Sequence, residues 1–479
     1  MSLAVSGRGT GPGTRSGFRP AGSHTPDLLA AALTLAGTRP RQALAQKARS
    51  ARLSYSASAD ANGWAGPARG LGAVGAAAGP GLGHLCGRVC LWFAAVLLFL
   101  ALTGFLLTSF LHVDMALLAP LLGDEAEGPP VTNVMFLKTH KTGSSTMLNI
   151  LFRFADTHGL PVALPRGGNF HLGYPWLFLA RYVEGVEETG SPQRRFSVMC
   201  NHLRFNLPEV QKVMANDTFY FSILRNPVFQ LESSFAYFQD FVSAFKAAAS
   251  LEAFLAAPQT YYNKSQDLKR AHARNSMWFD LGLDPDALAR EGYVRARLAE
   301  LERRFPLMLI AEYFDESLVL LRHLLRWRLD DVVAFKINSR SPSRVAPLSP
   351  AGQERAKRWC ALDWSLYQHF NRTFWARARA ELGPRRLRAD VEKLRARRRE
   401  LMALCLEDRT PKGPGLISDP HLRPYQSGKT AILGYNLRRG LEPETLQLCQ
   451  RMVTPELQYT AQLYARQFPE KPPKKVPFL

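Results

Sequence analysis

Acid is what this chain has too little of. It carries 40 Asp and Glu against 61 Lys and Arg, a net charge of +21 over 479 residues. Such an excess favours anionic partners, whether nucleic acid, membrane headgroups or an anionic cosubstrate, without choosing among them. Several signatures are missing outright. No G-x-x-x-x-G-K-[ST] run occurs, which excludes a Walker A loop. No HRD or DFG sequence is present, which argues against a protein kinase. No glycine-rich turn after a strand marks a dinucleotide fold. No convincing metal-ligand spacing appears, so no metal is expected. Internal repeats are absent too. Large apolar residues are scarce over residues 1–85, where Gly, Ala, Pro, Ser and Arg dominate. A segment of that kind cannot bury enough surface to offset its ordering entropy, so residues 1–88 read as a disordered tail. Nothing at its start resembles a cleavable signal peptide.

Leu91 to Leu111 (LWFAAVLLFLALTGFLLTSFL) is 21 residues without a charge. A helix of that length spans about 30 Å, the thickness of a bilayer core. Arg88 and the basic tail precede it; Asp114, Asp124, Glu125 and Glu127 follow it. The positive-inside tendency puts the N-terminus in the cytosol and the rest in a lumen. The expected organisation is a cytoplasmic tail (1–88), a transmembrane signal-anchor (89–111), a stem (112–130) and a lumenal domain (131–479). Sequons at Asn216, Asn263 and Asn371 suit that placement as candidate glycosylation sites. Cys200, Cys360, Cys405 and Cys449 lie past the anchor, which permits two disulfides in three pairings. Cys86 and Cys90 sit at the membrane edge.

From Val131 onward short β-rich runs alternate with helical patterns. Strands are expected in VTNVMFL, RFSVMCNHL, TFYFSIL and PLMLIAEYF. Helices are expected over Ser145–Phe154, VFQLESSFAYF and ESLVLLRHLLRW. This alternation predicts an α/β domain with a mainly parallel sheet flanked by helices. Pro384–Leu401 reads as a strongly basic helix, either a solvated face or a surface for anions.

The stretch FLKTHKTGSSTMLNIL (Phe136–Leu151) joins an expected strand to an expected helix. Unpaired N–H groups and the helix dipole favour an anion there. Lys138 and Lys141 add charge. Thr142, Ser144, Ser145 and Thr146 add hydroxyls, and Gly143 permits close backbone approach. A second grip follows the strand Phe219–Leu224, with Arg225 suited to phosphate and Ser233 about two turns into the next helix. Two such grips suit a nucleotide with phosphate at both its 5′ and 3′ positions.

The pattern K-T-x-S-S/T, then strand-R-D/N-P-x5-S, resembles the two phosphate loops of sulfotransferases that use PAPS (3′-phosphoadenosine 5′-phosphosulfate). FLKTHKTGSSTMLNILFRFADTHGL, HLGYPWLF, MCNHLRFNLPEV, FSILRNPVFQLESSF, AEYFDESLVLLR, CALDWSLYQHFNRTFW and RPYQSGK together resemble the galactose-3-O-sulfotransferases over roughly Leu91–Leu479. The long Gly/Ala/Pro extension departs from the family's short tail, and Asn226 stands where many sulfotransferases have Asp.

The resemblance implies a P-loop-like sulfotransferase fold behind a single transmembrane helix. It also implies a Golgi type II membrane enzyme that moves a sulfuryl group from PAPS to the 3-hydroxyl of a β-galactosyl residue on glycoproteins or glycolipids. Nucleic acid is not an expected partner, and a homo-oligomer is compatible with it. Lys141, supported by Lys138, would grip the phosphosulfate together with residues 142–146, and Arg225 and Ser233 the 3′-phosphate. His202 and His140 compete as base, His202 slightly ahead, with the lysines beside His140 keeping it neutral. Arg204 is a further contact candidate. Tyr174, Pro175, Trp176, Trp278, Phe279 and Trp364 are sugar-stacking candidates against a commoner role in packing. The competing readings are a glycan-binding relative without catalysis and a lumenal kinase or nucleotidase.

Overall fold

The structure, a computed structural model, describes residues 92, 95–100, 102–103, 128–186, 195–263, 267–341, 345–427 and 430–471. The chain divides into two units, 1–94 and 95–479, and of the first only Trp92 is described. The expected tail and nearly all of the expected stem lie outside the described residues. So does much of the expected anchor, of which residues 92, 95–100 and 102–103 are helical. No helix among the described residues is long and apolar enough to cross a membrane.

The centre is a four-stranded parallel sheet in the order β2-β1-β3-β4. Its strands are β1 (Val134–Leu137), β2 (Val198–Met199), β3 (Phe219–Leu224) and β4 (Leu307–Ile310). β1, β2 and β4 are buried at every position, which is what a parallel sheet covered on both faces demands of VMFL and LMLI. From β1 the chain moves out to β2, then crosses back to β3 on β1's other side. The reversal opens a crevice beyond the carboxyl ends of β1 and β3, the usual ligand position in an open parallel sheet. The two expected anion loops leave those very ends, side by side. Two hydroxyls pin them together: Ser222 Oγ donates to the Leu137 carbonyl at 2.7 Å, and Thr139 Oγ1 donates to that of Ile223.

Helix α1 (Ser144–Thr157) follows β1, and α2 (Pro227–Phe238) follows β3. Both begin where the sequence signals put them, α2 with Pro227 at its first position and the Asn226 side chain accepting from Val228 N–H at 3.0 Å. α1 buries Met147, Leu148, Ile150, Leu151, Phe152 and Phe154, each removal of a large apolar side chain from water contributing about 1.5–3 kcal/mol. The expected helix ESLVLLRHLLRW is α4 (Phe314–Leu325), after the short α3 (Ser276–Asp280). The strand expected in RFSVMCNHL is shorter than anticipated. Only Val198–Met199 pairs continuously, with single bridges from His202 and Arg204 to residues 171 and 177.

Helix α5 spans Ala361–Glu381 and α6 spans Gly383–Cys405. In α6, Leu387, Val391, Leu394, Leu401 and Cys405 recur at helical spacing and are buried. Its arginines are less free than a solvated face implies. Arg395 and Arg398 both reach Asp315, and Arg397 clasps Asp330. Two further helices, α7 (Pro443–Val453) and α8 (Glu456–Gln467), pack on α1.

Cys405 and Cys449 form a disulfide linking α6 to α7, one of the permitted pairs, while Cys200 and Cys360 are buried and unpaired. The bridge closes a 44-residue separation. Replacing Cys405 by Ser is expected to lower stability by about 2–4 kcal/mol. In thermal melts, reductant should then lower the wild-type midpoint but not the variant's.

Candidate active site

A cleft of about 980 Å³ opens at the carboxyl ends of β1 and β3. It is lined by Lys138, His140, Lys141, Thr142, Gly143, Ser144, Ser145, Thr146, His202, Arg225 and Ser233, every residue chosen from sequence for donor binding or catalysis. The loop after β1 is tightly bent. Lys141 and Gly143 have φ of 62° and 79°, the left-handed region where a side chain is strained. Arg225 braces the first of these, Nη1 donating to the Lys141 carbonyl at 3.0 Å. Gln230 on α2 donates to the His140 carbonyl at 3.1 Å. The two grips are thus one structure.

The hydroxyls divide by task. Thr139 and Thr142 bond each other, and Ser144 Oγ donates to the Thr139 carbonyl at 2.6 Å, so these shape the loop. Ser145 faces outward: its Oγ donates to Glu456 at 2.8 Å and accepts from Asn338 Nδ2 at 3.0 Å. Glu456, at the start of α8, also meets Lys138 Nζ at 3.2 Å. Lys138 and Ser145 therefore already hold a carboxylate at the helix N-terminus where an anion was expected.

Lys141 points its ammonium at the Tyr237 ring, 3.7 Å from the centroid. Burial, with Arg225, Arg340 and Lys138 nearby, lowers its pKa to about 7. A bound polyanion would raise it again. Below pH 7 the free and bound forms would then both be charged, and this group adds no pH dependence. Above pH 7 the free site loses the proton that the bound site keeps. Affinity for adenosine 3′,5′-bisphosphate should therefore fall as pH rises from 7 to 9, with calorimetry in two buffers showing uptake approaching one proton.

The two histidines separate on hydrogen bonds. His202 Nδ1 lies 3.0 Å from the Lys138 carbonyl, so that nitrogen carries the proton. Its Nε2 lone pair then accepts from Lys138 Nζ at 2.7 Å and is occupied. His140 is different. Its Nδ1 is 3.0 Å from both oxygens of Asp280, whose Oδ2 also accepts the His140 backbone N–H at 2.8 Å. A carboxylate on Nδ1 fixes the tautomer that leaves Nε2 as the basic nitrogen. The rings stack at 3.9 Å and 10°. Burial, then Lys138, His171 and Lys141, lowers the His140 pKa well below the usual value, while burial raises Asp280 to about 7. Asp280 is placed in turn by α3, whose first N–H groups, of Met277 and Trp278, donate to Asp363 on α5 at 3.2 and 2.8 Å.

Sequence reasoning missed Asp280 and Glu456, which lie 140 and 311 positions from their partners His140 and Ser145. No spacing rule connects such residues. The only local hint at Asp280 is a lone acid closing the apolar run SMWF. Arg204 is not brought to the cleft: its guanidinium lies 4.1 Å from the Phe279 centroid and donates to the Leu283 carbonyl. Of the sugar-stacking candidates, Tyr174 and Pro175 line the cleft, while Trp278 and Phe279 are core, Trp364 packs against the core and Trp176 is exposed. Asn216 and Asn263 are exposed; Asn371 is mid-helix in α5, half-buried, with no partner for Oδ1 among the described residues. Among the described residues no cluster of His, Cys, Asp and Glu is arranged to hold a metal ion.

Residues 86–467 match the family described as Galactose-3-O-sulfotransferase. The chain belongs to the galactose-3-O-sulfotransferase family. A curated relative from Sus scrofa, Galactose-3-O-sulfotransferase 2, is 71% identical over 390 residues, covering 81% of this chain and 97% of the relative. Galactose-3-O-sulfotransferase 2 of Homo sapiens is 69% identical over 385 residues, covering 80% and 96%. The more distant Galactosylceramide sulfotransferase of Mus musculus is 40% identical over 351 residues, covering 72% and 81%. The matched span takes in the whole cleft, so the galactose-3-O-sulfotransferase relationship includes both anion loops, Asp280 and Glu456.

Proposed function

We propose that the protein is a galactose 3-O-sulfotransferase, moving a sulfuryl group from PAPS to the 3-hydroxyl of a β-galactosyl residue on glycoprotein or glycolipid glycans. The observation that carries this reading is the His140–Asp280 pair, set inside a lysine loop at the mouth of a parallel sheet in a chain of this family. Relatives named for galactose and for galactosylceramide sulfation bound the acceptor class. The finer fold is the P-loop-like sulfotransferase arrangement. The proposed setting is the Golgi membrane, type II, with the run Leu91–Leu111 as anchor and the catalytic unit lumenal.

Both substrates are bound before reaction. Sulfuryl transfer needs the attacking oxygen, sulfur and leaving oxygen in line, so positioning and charge stabilisation dominate. His140 Nε2 takes the proton as the acceptor oxygen bonds to sulfur. The bond from sulfur to the phosphate oxygen breaks, and Lys141 stabilises the charge left on that oxygen. Lys138 is freed to face the sulfuryl oxygens if Glu456 yields it. Arg225 and Ser233 hold the 3′-phosphate. The products are the sulfate ester, adenosine 3′,5′-bisphosphate and one proton.

The purified protein, given sulfur-labelled PAPS or γ-labelled ATP with a panel of β-galactosides, is expected to transfer label from PAPS alone. Mass spectrometry should place the sulfate on O3 of galactose. Label from ATP would mark a kinase, and label from neither a glycan-binding relative without catalysis; either result defeats the proposal.

A further inference from the structure

The transfer step gives no role to His272. His272 lies in the 3-10 turn Leu268–Ala273, is 6% exposed, and lines the same cleft. Its ring is clamped. It stacks on Phe238 at 4.2 Å and 12°, meets His140 edge-on at 4.7 Å, and lies 5.6 Å from the Tyr174 ring. Ser234 Oγ donates to its backbone carbonyl at 2.7 Å and holds the turn to α2. Yet Nδ1 is buried with no hydrogen-bond partner among the described residues. Burial keeps the imidazole neutral, with one nitrogen a donor and the other an acceptor.

Buried polar atoms without partners are few in native proteins, and each asks for an explanation. An apolar ring would fill this slot equally well. Holding a polar ring rigid and unpaired beside the base suits a ligand contact. The ring packs on His140, Phe238 and Tyr174, around the proposed base, which puts the contact on the acceptor side. Tyr174 also has a buried hydroxyl. Burial, and then the neighbouring Asp280 carboxylate, raises its pKa well above the ordinary value, which assigns it to the His140–Asp280 pair.

On the reading that His140 takes the proton of the attacked hydroxyl, we infer that His272 hydrogen-bonds a hydroxyl adjacent to that one on the same sugar ring. It would thereby set which vicinal hydroxyl reaches the base. The residue orients the acceptor and takes no part in proton transfer.

His272→Ala and His272→Phe test this, the second because phenylalanine keeps the clamp packed. Both are expected to raise acceptor KM about tenfold while leaving the affinity for adenosine 3′,5′-bisphosphate unchanged. Acceptors lacking the 2- or the 4-hydroxyl supply the decisive arm. In the wild type one of the two should lose about tenfold in kcat/KM, and in both variants that penalty should vanish. Equal penalties in wild type and variants, or donor affinity falling in step with acceptor affinity, would overturn the inference. A wild-type protein that sulfates no β-galactoside would instead overturn the functional reading on which it rests.

Discussion

Replacing His140 by Ala is expected to lower kcat by about a thousandfold, in the range found when a positioned general base is lost. Affinity for adenosine 3′,5′-bisphosphate should stay near that of the wild type, because the ring lies beside the anion grips rather than in them. The prediction rests on which nitrogen is available. His140 has its Nδ1 on Asp280, and among the described residues none hydrogen-bonds its Nε2. His202 has Lys138 on Nε2 at 2.7 Å. For His202 to act as base, that ammonium would first have to leave, exposing a buried charge. His202→Ala should therefore cost less in kcat than His140→Ala and should disturb Lys138 instead. Asp280→Asn is the companion test. It keeps the shape but removes the carboxylate that orients the imidazole and stabilises its protonated form, with an expected loss of at least about a hundredfold. Near-normal turnover in His140→Ala would sink the assignment. So would a larger loss in His202→Ala with donor affinity intact.

Arg225→Ala is expected to weaken binding of adenosine 3′,5′-bisphosphate by about a hundredfold, the scale of one charge-assisted hydrogen bond lost from a partly desolvated site. Two contributions add here. The guanidinium is aimed at the cleft beside Ser233, and it also braces the strained Lys141 carbonyl. Arg225→Lys restores the charge but not the planar fork, so it should recover only part of the affinity. Acceptor binding should change little, since the Arg225 guanidinium is bonded to the Lys141 carbonyl and not to His140, His272 or Tyr174. Calorimetric titration of nucleotide and acceptor separately tests this, and normal nucleotide affinity in Arg225→Ala would exclude Arg225 from the 3′-phosphate grip.

Some of this was legible in residue order. The run VMFL, the loop KTHKTGSS and the helix after it are contiguous, and local chemistry governs them. Apolar continuity marks a buried parallel strand. Gly143 marks a left-handed turn. Hydroxyls and lysines at a helix start mark an anion site. The same holds for Phe219–Leu224, Arg225 and Pro227. The basic helix after Pro384 was also legible as a helix. Its pairing of Arg395 and Arg398 with Asp315 was not, because those residues are about 80 positions apart. The disulfide was legible only as a set of pairings, and the fold selected Cys405–Cys449 by bringing the end of α6 against α7.

The sequence by itself determined the two anion grips, the α/β class and the pair of candidate histidines. Each of these is written in neighbours within a strand, a turn or a helix. Only the tertiary structure decided which histidine has a basic nitrogen available. That choice depends on Asp280, positioned by Asp363, and on Lys138, held between His202 and Glu456. These partners come from α3, α5 and α8, brought together by burial of the helices against the sheet. Burial also strips the water that would otherwise level every imidazole and carboxylate to its ordinary behaviour. Which of the two candidate histidines offers a free basic nitrogen is thus a property of packing, and residue order does not decide it.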